Sequence, residues 1–150
     1  AYAIKSERMS HRIVMDTNVF IAALLSPSGG NRATLRACLD GRAHPLMGAA
    51  LFHEYEDVMV RSDPMRRSPL RPQDRRTLFE AFLSVCEWVK VYFLWRPNLP
   101  DEGDNHLVEL AIAGGAATIV TNNVRDVREG ELSFPGLHIL TPAEFLKTHL

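Results

Sequence analysis

The stretch "RIVMDTNVFIAALL", residues 12–25, decides how the rest of the chain is read. An apolar run, Ile13-Val14-Met15, meets an acid at Asp16; Thr17 and Asn18 follow, and a second apolar run begins. The first run lacks the alternation of a strand with one wet face. It predicts a strand over 12–16 buried on both sides, as in a parallel sheet. The second run is too apolar for a loop and predicts a short helix over 18–25, with Asp16 or Thr17 near its N-cap. A carboxylate where a buried strand turns into a helix is either a solvated loop acid or a metal ligand at the end of a central strand. One acid cannot decide between them; other acids must be able to join it.

Working outward, "SPSGGN" at 26–31 predicts a loop, and residues 31–41 a helix ending at Gly41 with Leu35, Cys38 and Leu39 on one face. "HPLMG" at 44–48 predicts a second strand, and 49–61 a helix with Leu51, Tyr55, Val58 and Met59 at helical spacing. A Pro- and Arg-rich connector at 62–72 leads to a helix over 73–87. "WVKVYF" at 88–93 alternates and predicts a third strand. A helix over 105–115, a strand over 117–121, a loop with one helical turn and a strand over 137–140 come next. Thr141 as N-cap and Pro142 at the first helical position open a closing helix. Alternation of strands and helices predicts an α/β fold: a mostly parallel five-stranded sheet with helices on both faces.

The bulk numbers agree with one globular domain. The chain has 150 residues, 46% hydrophobic and 23% charged, enough to bury a core. A formal net charge of -1 announces neither nucleic acid nor an acidic tail, although a local basic patch can coexist with an acidic site. Cys38 and Cys86 have no paired-ligand spacing and predict reduced thiols in a cytoplasmic protein. No run is long enough to span a bilayer and no signal peptide is visible, so no membrane is expected. Residues 1–10 are set aside as an N-terminal extension or expression remnant, leaving 11–150 as the domain.

In an open parallel sheet, ligands bind beyond the carboxyl ends of the strands. Four acids from separate segments can reach that rim. Asp16 ends strand one, Glu54 lies early in the helix after strand two, Asp104 opens the helix before strand four, and Asp126 follows strand four. Each has an ordinary explanation: Asp104 as a helix cap, Glu54 as a solvated acid beside Glu56 and Asp57, Asp126 as a turn residue or arginine partner. Asp16 is the least ordinary. Carboxylates packed together repel and raise one another's pKa, a conflict a hard divalent cation removes. All-oxygen ligation favours Mg²⁺ or Mn²⁺ over zinc. His106 reads as a solvent-facing helix residue, and Trp88 and Trp95 as packing groups rather than stacking platforms. No glycine-rich nucleotide fingerprint follows a strand.

Four ordered blocks resemble the PIN-domain nucleases: "VMDTNVFIAALLS" at 14–26, "GAALFHEYEDVMVR" at 48–61, "DEGDNHLVELAIAGGAATIVTNNVRDV" at 101–127 and "GLHILTPAEFL" at 136–146. The last is similar to a bacterial subgroup of toxin components of VapC type. The resemblance implies a three-layer α/β/α sandwich and a ribonuclease site of three or four acids. Asp16, Glu54 and Asp104 match the first three. Asn105 and Asn123 stand where relatives often carry acids, so Asp126 is the candidate fourth. Asn18, Thr121 and Asn123 would orient carboxylates or a bound water by hydrogen bonds.

What this implies is a Mg²⁺- or Mn²⁺-dependent endoribonuclease, the toxin of a toxin–antitoxin pair, with an antitoxin partner and self-association into a dimer or larger oligomer. The alternative is a non-catalytic RNA- or protein-binding module on the same fold. Phosphate grip is expected from Arg61, Arg66, Arg67 and Arg71 around the connector and from Arg125 and Arg128 after strand four, with a solvated loop as the competing account of the connector cluster.

Overall fold

The sheet is organised around its first strand. In the computed structural model, which describes residues 11–61, 65–91, 105–128 and 136–150, β1 (Arg12–Met15) lies in the middle of five strands. Ile13, Val14 and Met15 are at most 1% exposed, as the unbroken apolar run requires. The remaining elements are α1 (Thr17–Leu25), α2 (Gly30–Leu39), β2 (His44–Met47), α3 (Ala49–Val60), α4 (Pro72–Val85), β3 (Glu87–Trp88), α5 (Asn105–Gly114), β4 (Thr118–Val120), α6 (Val124–Arg128), β5 (His138–Leu140) and α7 (Pro142–His149). The strand order is β3-β2-β1-β4-β5, and every pair is parallel. Chain direction reverses its order of addition beside β1: β2 and β3 add on one side, β4 and β5 on the other. That is the topological switch point at which such sheets bind ligands.

Helices cover both faces, giving the expected three layers. α1, α2, α4 and α7 form one layer, in which α2 packs on its three neighbours; α5 lies over β1, β2 and β4 on the other face. The first layer is sealed by an aromatic cluster in which Phe20 meets Tyr55, Phe79 and Phe82 at centroid distances of 5.5–5.7 Å. α5 approaches the sheet closely at Gly114, where a Cβ would stand 2.4 Å from Leu46 Cδ1. α7 starts with Thr141 as N-cap and Pro142 after it, as predicted, and the structure adds a reciprocal capping box: Thr141 Oγ1 accepts from Glu144 N, and Glu144 Oε1 accepts from Thr141 N.

The third strand is shorter than the alternation over 88–93 suggests, and it starts one residue earlier. β2 ends at Met47, so only Leu46 and Met47 have partners to offer, Glu87 and Trp88; the last bond runs from Val89 N to Met47 O. Residues 92 and 93 lie outside the described residues. Glu87 leaves the predicted helix because it is needed at the amino edge of the sheet. There Arg12 donates to Glu87 Oε1 and Oε2 at 2.9 and 2.7 Å and to the Gly114 carbonyl, while His44 Nε2 lies 3.0 Å from Glu87 Oε1. This clamp ties β1, β2, β3 and α5 together at the edge opposite Asp16.

Candidate active site

β1 carries Asp16 directly beyond its last residue, with Asp16 N bonded to Val120 O of β4. Asp16 is the N-cap residue of α1 in backbone position, yet its side chain makes no capping hydrogen bond. The ordinary role of an aspartate there is therefore not the one it plays. Oδ2 accepts from Thr121 Oγ1 at 2.8 Å and from Asn18 Nδ2 at 3.2 Å. Asp16 is only 6% exposed, and burial pushes its carboxyl above the usual range. The Thr121 hydrogen bond opposes that shift, and the nearby Glu54 charge adds to it.

Glu54 is brought to the same edge by the residue after it. Tyr55 is fully buried, and its hydroxyl donates to the Met15 carbonyl at 2.7 Å. That bond pins α3 to the end of β1 and leaves Glu54 facing α1. Thr17 Oγ1 donates to Glu54 Oε1 at 2.8 Å and stands 3.5 Å from Asp16 Oδ1, so one hydroxyl lies between the two carboxylates. The second oxygen, Oε2, is 2.7 Å from His106 Nε2 of α5. The His106 hydrogen bond is the main cause holding Glu54 below the usual carboxylate range; burial opposes it, and Thr17 adds to it.

His106 thus corrects the sequence reading. Its side chain is 18% exposed and faces Glu54 rather than solvent. The missed signal was spacing: His106 precedes Glu109 and Leu110 by three and four residues, which puts all three on one helix face. Tyr55 and Asn122 were missed as well. Asn122 N donates to Asn18 Oδ1 at 3.1 Å and Asn122 Nδ2 to Asn31 Oδ1 at 2.8 Å, bracing Asn18. Of the residues expected to orient the carboxylates, Asn18 and Thr121 touch Asp16 directly. Asn123 contributes its backbone N–H, which donates to Thr121 Oγ1 at 3.0 Å.

Asp104 lies outside the described residues. Asp126 falls in α6, immediately past β4, but its side chain, like those of Asn105 and Arg128, is not described. The described residues therefore bring together two of the expected acids, Asp16 and Glu54; no group of three or more His, Cys, Asp or Glu side chains among them is arranged for a metal ion. The donor chemistry still suits a hard cation. Two carboxylates, Asp16 buried and Glu54 half-buried, share one rim, and hydroxyl and amide donors hold Asp16 by Oδ2.

The cations are more engaged than the connector sequence suggests. Arg61 pairs with Asp57 and Arg71 with Asp74, both on exposed surface. Arg61 and Arg66 share with Arg75 the wall of a shallow cavity of about 410 Å³, and the Arg61 charge contributes to the low pKa of Glu54. Arg67 and Arg125 are exposed. Trp95 lies outside the described residues, whereas Trp88 packs edge-on against Phe52 with centroids 5.3 Å apart. No helix among the described residues is long and apolar enough to cross a membrane.

Comparison with known proteins agrees with this architecture. The family model described as PIN domain matches residues 12–125. A solved structure of similar fold is the crystal structure of VapBC2 from Rickettsia felis bound to a DNA fragment from their promoter. It aligns with a TM-score of 0.60 over 87% of this chain and 98% of that one, at 15% identity. At that identity the likeness is one of fold. No curated protein sequence matches.

Proposed function

Since the chain belongs to the PIN-domain family, we propose that it is a metal-dependent endoribonuclease cleaving single-stranded RNA, and the toxin half of a toxin–antitoxin pair. The observation that carries this reading is Asp16: a carboxylate 6% exposed, at the switch point of a parallel sheet, within reach of a second carboxylate through Thr17. Its hydrogen-bond partners among the described residues are hydroxyls and an amide, not an arginine or lysine. Such a group is costly unless a cation joins it.

Asp16 and Glu54 would hold Mg²⁺ or Mn²⁺ together with Asp104 and Asp126, directly or through water. When bound, the ion supplies an activated water and offsets charge on the scissile phosphate. Thr121 and Asn18 fix the plane of the Asp16 carboxylate, and Thr17 and His106 fix that of Glu54, so neither acid needs to reorient when phosphate arrives. Arg61, Arg66, Arg67, Arg71, Arg125 and Arg128 would contact phosphates without reading sequence. Because water attacks rather than a ribose hydroxyl, no 2′,3′-cyclic phosphate forms, and the expected products carry a 5′-phosphate and a 3′-hydroxyl. The fold shared with VapBC2 supports the toxin assignment and an antitoxin partner.

The test is cleavage of a single-stranded RNA with Mg²⁺ or Mn²⁺. Asp16→Asn is expected to lose activity by about 10³-fold, roughly 4 kcal/mol of barrier, with the circular dichroism spectrum unchanged. Metal-dependent cleavage that persists in both Asp16→Asn and Glu54→Gln would overturn the site. Calorimetry separates a binding module, which takes up no Mg²⁺ or Mn²⁺ at millimolar concentration.

A further inference from the structure

A cavity of about 840 Å³ adjoins the rim, walled by Gly48, Ala49, Trp88, Val91, His106 and Glu109 among others. Its size lies within the range of about 300–1,000 Å³ that small-molecule sites occupy. Most of the wall is apolar; Lys90, His106 and Glu109 are the charged or titratable groups in it. Glu109 is 7% exposed, and its Oε1 has no hydrogen-bond partner among the described residues. A carboxylate oxygen buried in this way requires a donor from elsewhere. Trp88, also on the wall, is 54% exposed, and its ring is steadied edge-on by Phe52. His106 belongs to both sites: it lines the cavity and its Nε2 bonds Glu54. Whatever enters the cavity therefore sits beside the acidic rim.

We propose that this cavity is a base-recognition subsite for a guanine of the RNA, with Glu109 accepting from the guanine N1–H and N2–H and the base lying against Trp88. The proposal rests on the ribonuclease reading. Among the four RNA bases, guanine alone presents two adjacent N–H donors on one edge, and a carboxylate offers two matching acceptors. Adenine and cytosine set an acceptor nitrogen beside their amino group, and uracil flanks its single N–H with carbonyls, so each would turn lone pairs toward Glu109. An aromatic wall suits unstacked bases of single-stranded RNA. A guanidinium from a partner protein would also satisfy Glu109. A flat aromatic wall and a border shared with the rim favour the nucleotide.

The experiment is calorimetric titration of the full chain, in EDTA, with the monophosphates of guanosine, adenosine, cytidine, uridine and inosine, and with N-acetylarginine amide. Guanosine monophosphate is expected to bind about tenfold tighter or more than the other three standard nucleotides, with inosine, which lacks the 2-amino group, in between. Glu109→Gln should erase the preference. Trp88→Leu, at a half-exposed position, should weaken guanosine monophosphate binding even if Glu109→Gln fails to fold. Equal binding of all four, no binding at millimolar concentration, a preference that survives Glu109→Gln, or tighter binding of the arginine amide in competition would each overturn the proposal. Because metal is absent, a guanine preference in a protein that cleaves no RNA would support the subsite and strike the ribonuclease reading alone.

Discussion

The two edges of the sheet treat their acids in opposite ways. At the amino edge Glu87 is met by Arg12 through two hydrogen bonds and by His44, and the Arg12 bond foremost holds its pKa down at about 2. At the carboxyl edge Asp16 is deeply buried, is met by hydroxyl and amide groups, and has its pKa raised. The first arrangement favours the charged form and ties four elements together. The second disfavours it and leaves a conflict that a cation resolves. One edge is built for stability, and the other retains an electrostatic cost where a ligand is expected.

This contrast can be broken at either end. After loss of Asp16 itself, the largest effect expected is on activity: Thr121→Val removes the 2.8 Å donor to Asp16 and should lower metal affinity or cleavage by about 10–100-fold, with a fall in Tm because Asn123 N–H also loses its acceptor. Metal calorimetry and RNA cleavage check it, and an unchanged affinity would mean that Thr121 does not orient Asp16. Next is Arg12→Ala, which strands Glu87 and the Gly114 carbonyl. It should cost about 2 kcal/mol, or roughly 4–8 °C in Tm for a domain of this size, while cleavage per folded molecule stays at the wild-type level.

Smaller effects follow from the directions of the pKa shifts. The folded pKa of Asp16 is raised, so the folded state holds that proton more tightly than the unfolded chain. Its contribution to stability therefore falls as pH rises above the unfolded value of about 3.9. Metal-free Asp16→Asn should accordingly melt above wild type at neutral pH, and the difference should vanish in acid. Glu87 has the opposite sign. Its folded pKa of about 2 gives stability that is present above the unfolded value of about 4.3 and lost as pH falls through the folded one. Urea titrations below pH 5 should show a shallower loss for Glu87→Gln than for wild type. The effect is small because the Glu87 side chain is 42% exposed and solvent screens it.

Sequence periodicity was a good guide to elements and a poor one to their partners. The helices over 31–41, 49–61 and 105–115 are observed as Gly30–Leu39, Ala49–Val60 and Asn105–Gly114, because apolar spacing reports which face is buried. The third strand contracted to Glu87–Trp88 because strand length depends on the neighbour: β2 stops at Met47, and alternation in one strand cannot show where its partner ends.

By itself the sequence determined that a strand buried on both faces lies within residues 12–16 and that an acid stands where it ends. An unbroken apolar run has no wet side, and a carboxylate cannot continue it. It also determined the sheet's parallel character, through the alternation of strands and helices, and the N-cap at Thr141. Only the tertiary structure decided what Asp16 and Glu54 touch. The Thr121–Asp16, Tyr55–Met15 and His106–Glu54 bonds join residues 105, 40 and 52 positions apart. Hydrogen bonds are directional and short. Their partners are chosen when helices dock on the sheet, a step that local spacing along the chain does not encode.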